Sequence, residues 1–169
     1  EFYRYEDIIK KEDDAGYDKT AFEKMLEIKG DSDHTKLIDM LTDLNDYSIG
    51  IEDVLKEHFD EENIVYWMAF QILMGNVDTQ NRNVYLYSPL NSDIWYFIAW
   101  DNDGCLMRSE YELKNFSDQG SWEKGISNYW GNVLFQRCLK SRSFREKLND
   151  AILELREYLN KDMLISKIE

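Results

Sequence analysis

The chain is short of proline, with one, and of cysteine, with two, and none of its eight glycines forms a G-x-G. Each shortage closes off a class of protein. Two cysteines, Cys105 and Cys138, fall far below a disulfide scaffold, so buried free thiols are expected. Basic residues are also scarce. With 34 acidic against 20 basic side chains the net charge is -14, which opposes nucleic acid, whose affinity comes from Lys and Arg neutralising phosphates. The same charge attracts cationic partners over a range that salt shortens. No apolar run approaches the ~20 residues that cross a bilayer, so no membrane span is expected. With no repeat and no Gly/Ser linker, residues 1–169 read as one continuous domain, able to bury roughly 70% of its unfolded surface. Glu1 stands where a Met would open a full chain, and the sequence is expected to be part of a longer protein.

What is present reads mostly as helix. A short helix is expected over Lys19–Ile28, ended by Gly30, with a strand at FYRY near the start. In DSDHTKLIDMLTDLNDYS the residues Leu37, Ile38, Leu41 and Leu44 recur at three and four positions, capped by Ser32 or Asp33, giving a surface helix on the core. FDEENIVYWMAFQILMGN leaves almost no polar face, so this helix is central, capped by Asp60 and terminated at Gly75. NVYLYS and DIWYFIAW, rich in aromatic and β-branched residues and joined by PLNS, form a hairpin. Further on, SRSFREKLNDAILELREYL carries a capping box at Ser143 and Glu146 and a core stripe of Phe144, Leu148, Ile152, Leu155 and Leu159. His34 and His58 flank polar helices and are expected in solvent.

The chemistry concentrates around the hairpin. Asp78 and Asn83 precede it, five positions apart, while Asp101 and Asp103 follow the apolar run WYFIAW in the sequence DNDG. Asp and Asn also favour loops because they bond nearby backbone, and ordinary turn chemistry accounts for Asp78, Asn81 or Asn83 taken singly. Paired stations suit phosphoryl transfer better. That reaction needs one carboxylate for the attacking hydroxyl, and an Asn with a second carboxylate for the metal on the phosphates. A calcium loop would require more oxygen ligands at set spacing and a preceding paired helix.

Two family resemblances follow from these motifs. FIAWDNDGCL is similar to the strand-end Asp-x-Asp-Gly of haloacid-dehalogenase hydrolases, which would make Asp101 a nucleophile and Asp103 an acid, but that fold needs later parallel strands where this sequence reads helical. The order of apolar helix, GNVDTQNRNVYLY, hairpin, WYFIAWDND and helical NVLFQRCLKSRSFREKL resembles the CotH family, the spore coat protein H kinases, over about 100 residues, an ordinary domain length. Ala99, where the family often has Pro, and Gly104-Cys105 depart from its pattern.

The CotH resemblance implies an α+β, mostly α-helical fold, the C-terminal lobe of a protein kinase with a β-hairpin carrying the metal site. It implies Asp78 as the catalytic carboxylate, Asn83 and Asp101 as holders of the nucleotide's metal, and Asp103 as a second-metal ligand or outer acid. The interval from Asp78 to Asn83 matches that between the kinase catalytic Asp and its metal-binding Asn. Implied cofactors are Mg2+ and ATP. Implied partners are a basic, Ser/Thr-containing protein substrate and an N-terminal lobe of the same parent chain. A spore-coat, secreted or cell-surface location is implied too. The Gly-rich strap and the phosphate-pairing Lys of a kinase have no counterpart among Lys10, Lys11, Lys19 and Lys29, so the N-terminal lobe is expected to be largely absent and the chain inactive alone. A non-catalytic pseudokinase module, with the aromatic hairpin as its contact surface, is the remaining alternative.

Overall fold

The computed structural model describes Ala15, Tyr17, Asp18 and residues 33–76, 83–105, 129 and 131–168. The expected helix at Lys19–Ile28, the FYRY strand, and Asp78, Asn81 and Arg82 lie outside these. Among the described residues run α1 (Thr35–Asn45), α2 (Ile51–His58), α3 (Glu61–Leu73), β1 (Tyr85–Tyr87), β2 (Tyr96–Ile98), a 3-10 turn (Asn102–Gly104), α4 (Val133–Lys140), α5 (Arg142–Tyr158) and α6 (Lys161–Ile168). The fold is mostly helical with one two-stranded antiparallel sheet, as the sequence implies.

Helix α3 is the centre because its sequence offers no polar face to solvent. Ile64, Val65, Trp67, Met68, Ala69 and even Gln71 are buried, and α5 packs along it with Phe144, Leu148 and Ala151 inward. Polar contacts edge that seam: Lys147 pairs with Glu61 at 2.6 Å, and the Tyr66 hydroxyl donates to Glu154. Both ends of α3 are closed as expected. The Asp60 carboxylate accepts from the Asn63 amide at 2.8 Å, and Gly75, at φ 61°, ends the helix in the left-handed region.

Helix α1 lies on the core through Leu37, Ile38, Met40, Leu41 and Leu44, while Asp33 accepts from the Thr35 N–H at its start. Helix α2 was not legible as a separate element. The Arg137 guanidinium, buried from α4, holds the α1–α2 connection by donating to the carbonyls of Asp43, Leu44 and Ile49 and stacking over Tyr47.

Two expectations need correction. The α5 cap is Ser141, not Ser143: its hydroxyl accepts from the Phe144 N–H at 3.2 Å and donates to Glu52, while Glu146 pairs with Arg142. That bond holds the Glu52 carboxyl below its ordinary range. His34 and His58 are buried rather than solvated; His58 ends α2 beneath α1, where its Nε2 lies 2.8 Å from Asp43. A partner fifteen positions away in sequence leaves no local signal.

The hairpin is mounted on this helical body by Phe97. Its ring sits 4.8 Å from Trp67 and 5.8 Å from Phe135 (centroids), and its backbone is bracketed by one side chain: Asn63 accepts from the Phe97 N–H at 2.7 Å and donates to the Phe97 carbonyl at 3.2 Å. Asn63 thus stands where a third strand would. Asn63→Ala leaves two backbone groups unpaired, and should lower stability by about 1–3 kcal/mol in urea unfolding; a midpoint equal to wild type would show that water replaces the amide without loss.

Candidate functional site at the open end of the hairpin

The strands pair Tyr85 with Ile98, Leu86 with Phe97 and Tyr87 with Tyr96. Asn83 lies two residues before the first strand and Asp101 three residues after the second, so both flank the hairpin at the end away from its turn. The Tyr85 and Trp100 rings, 5.0 Å apart, close the same end. Asn83 and Asp101 therefore share the open end of the hairpin.

Backbone geometry singles out the same two residues. Among the described non-glycine residues, positive φ occurs at Asn83 (52°) and Asp101 (51°). Left-handed backbone at a residue with a Cβ is tolerated best by Asn and Asp and gathers where a site dictates the chain path. Strand pairing stops at Ile98, so Asp101 stands three residues beyond it instead of ending the strand. The left-handed step turns the chain into the 3-10 turn, closed by the Cys105 N–H on the Asn102 carbonyl at 3.1 Å. Asp101 and Asp103 are exposed, Asn83 and Asn102 half-buried.

Beneath this turn lies a junction that the sequence did not reveal. The α3 terminus is a Schellman motif, with the Gly75 N–H bonded to the Ile72 carbonyl and the Asn76 N–H to the Gln71 carbonyl at 3.0 Å. The motif brings the side chains of Gln71 and Asn76 together, where an apolar contact is usual. Here both are buried amides, donating to one acceptor, Asn102 Oδ1, at 3.2 and 3.1 Å. The central helix thereby grips the turn that carries Asp101 and Asp103. The signal available was Gln71 and Asn76 themselves, two amides at the end of an apolar helix.

The candidate donors are all oxygen: the Asp101 and Asp103 carboxylates and the Asn83 amide at the other flank of the hairpin. That chemistry fits Mg2+, which binds through one or two carboxylates, phosphates and waters and not through a protein cage. No group of three or more His, Cys, Asp or Glu gathers among the described residues. Asp78 follows Asn76 by two residues and lies outside the described residues.

Both thiols are unpaired with each other. Cys105 is half-buried under the turn, where burial raises its thiol above the usual range and the Asn76 side chain pulls the other way; complete burial pushes Cys138 far higher.

A family model described as CotH kinase protein matches residues 1–169, the whole chain. The protein belongs to the CotH kinase family. Membership supports a kinase-like function and agrees with a protein substrate and the family's association with spore coats, and no helix among the described residues is long and apolar enough to cross a membrane. No curated protein and no solved structure matches the chain.

With thiolate scarce at both positions, a disulfide exchange reagent at pH 8 should modify Cys105 slowly and Cys138 not at all. Denaturant should release both. Rapid modification of two thiols in the native protein would contradict the burial of Cys138.

Proposed function

We propose that this chain is the C-terminal lobe of a CotH-type kinase that transfers phosphate from a magnesium nucleotide to Ser or Thr of a protein substrate. The observation carrying this is the left-handed backbone of both Asn83 and Asp101, which flank a hairpin that the central helix grips through Asn102. In this reading Asp78 orients the substrate hydroxyl and takes its proton as the oxygen bonds to the γ-phosphorus and the bond to the nucleoside diphosphate oxygen breaks. Asn83 and Asp101 would hold Mg2+, with Asp103 as a ligand to a second ion or an outer acid. Bound Mg2+ supplies charge neutralisation on the transferring group. The rigid mounts supply position, which carries much of this reaction's catalysis.

The lobe assignment rests on the sequence, which has no G-x-G and sets Lys10, Lys11, Lys19 and Lys29 in polar or helix-like patterns. The acidic surface, at net charge -14, favours a basic substrate. A phosphohydrolase built on Asp101 and Asp103 would call for parallel strands with crossover helices, whereas the described strands form an antiparallel hairpin. The exposed outer face of that hairpin, Tyr85, Tyr87, Ile98 and Trp100, is what a non-catalytic interaction module would use.

Titration with ATP in Mg2+, followed by Trp emission, separates these readings. Asp101→Asn should weaken magnesium-dependent binding by about tenfold or more, and Asp78→Asn should leave it within about twofold while abolishing transfer in the intact parent. Unchanged affinity in both Asp101→Asn and Asn83→Ala would favour the interaction module. Robust phosphorylation of a protein by these 169 residues alone would overturn the lobe assignment.

A further inference from the structure

We propose that Gln71, Asn76 and Asn102 form a positioning device that sets the direction of the Asp101 turn and thereby its grip on a divalent cation. The inference rests on the reading of Asp101 as a metal ligand. It adds three residues that touch neither metal nor nucleotide.

Three observations carry it. First, the connection is short and its donors are enclosed. Gln71 and Asn76 are 0% and 1% exposed, and both donate to the single acceptor on Asn102, the half-buried residue between the two exposed carboxylates. Donors buried in this way exchange their partner for water less easily than surface amides, so they hold an orientation that surface amides would not. Second, the device is coupled to the backbone that it positions. Asn102 directly follows Asp101, whose φ of 51° is uncommon for a residue with a Cβ, though Asp tolerates it better than most. The Asn102 carbonyl closes the 3-10 turn while its side chain is pinned from below, so both ends of that residue are fixed. Third, the junction accepts a local loss. Gln71 Oε1 is buried with no hydrogen-bond partner. Rotating the amide end for end would offer Oε1 to another oxygen, Asn102 Oδ1, so donation to Asn102 fixes the amide and leaves its carbonyl bare.

Asn76 also begins the segment that leads to Asp78. Its side chain bonds both the Asn102 oxygen and the Cys105 sulfur. One amide therefore ties the departure point of one acidic station to the turn that bears the other, on the end of the most buried helix.

The test is a Mn2+ titration of the full 169-residue chain, read by paramagnetic broadening of the Gly104 backbone amide resonance, which reports the turn and not the acidic surface at large. Asp101→Asn should raise the Mn2+ concentration at half-broadening. Asn102→Ala should raise it on the order of tenfold, the usual cost of losing a group that orients a metal ligand. In the Asp101→Asn background, Asn102→Ala should add nothing further, because the amide acts through that carboxylate. A merely structural role would lower thermal stability equally in both backgrounds and leave Mn2+ affinity alone. If Asn102→Ala does not fold, Asn76→Ser removes one of the two donors and carries the same comparison. Wild-type affinity in the folded amide variants, with affinity lost in Asp101→Asn, overturns the positioning device alone. Wild-type affinity in Asp101→Asn overturns the device together with the phosphotransfer reading beneath it.

Discussion

A hairpin of two three-residue strands cannot hold its own shape in water, and everything proposed for this protein depends on how α3 holds this one. Asn63 and Phe97 make that hold. An inward ring anchors β2 in an aromatic cluster with Trp67 and Phe135, and one amide satisfies both backbone groups that the missing third strand would have taken. The same edge is covered two residues earlier, where the Trp95 N–H bonds the His58 carbonyl and the Asp60 N–H bonds the Trp95 carbonyl. An open strand edge is thereby turned into part of the core.

Two more holds complete the mount. At the tip, the Lys36 ammonium donates to Ser88 Oγ and to the carbonyls of Pro89 and Ser92, so α1 fixes the turn. At the open end, Gln71 and Asn76 grip Asn102. Tip, middle and open end are each tied to a different stretch of helix, which leaves the hairpin little freedom to slide or rotate. Among the described residues Lys36, Arg137 and Arg145 each donate to backbone carbonyl oxygens.

Sequence reasoning succeeded where local chemistry decides and failed where partners are distant. The α3 limits were legible because Asp60 and Gly75 act within one turn of themselves, and the hairpin because its strands are aromatic and its turn carries Pro89. The inner face of α5 was legible from its stripe. The cap at Ser141 was missed because Ser143 with Glu146 offered the more familiar spacing, and the choice was made by Glu52, far away in the chain. His58 was missed for the same reason, its partner lying on α1. At the candidate site the carboxylates were legible as a motif. The amides beneath them were not, because Gln71 sits in an apolar run and Asn102 is flanked by more conspicuous acids.

Asn and Asp favour left-handed backbone for local reasons, so the φ values at Asn83 and Asp101 could be taken as turn chemistry alone. Backbone demand by itself, however, is met at least cost by glycine, as Gly75 shows at φ 61° in the same body. Glycine at 83 and 101 would have supplied the path without a side chain. Instead both positions carry oxygen-bearing side chains, one entering and one leaving the same hairpin, and the one beside Asn102 is reinforced from below by two buried amides. A turn needing only its shape would not require that support. On the proposed reading a carboxylate that must point in one direction would, because a metal ligand gains from being oriented before the ion arrives, and that demand would account for the left-handed backbone, the oxygen side chain and the buried amides together.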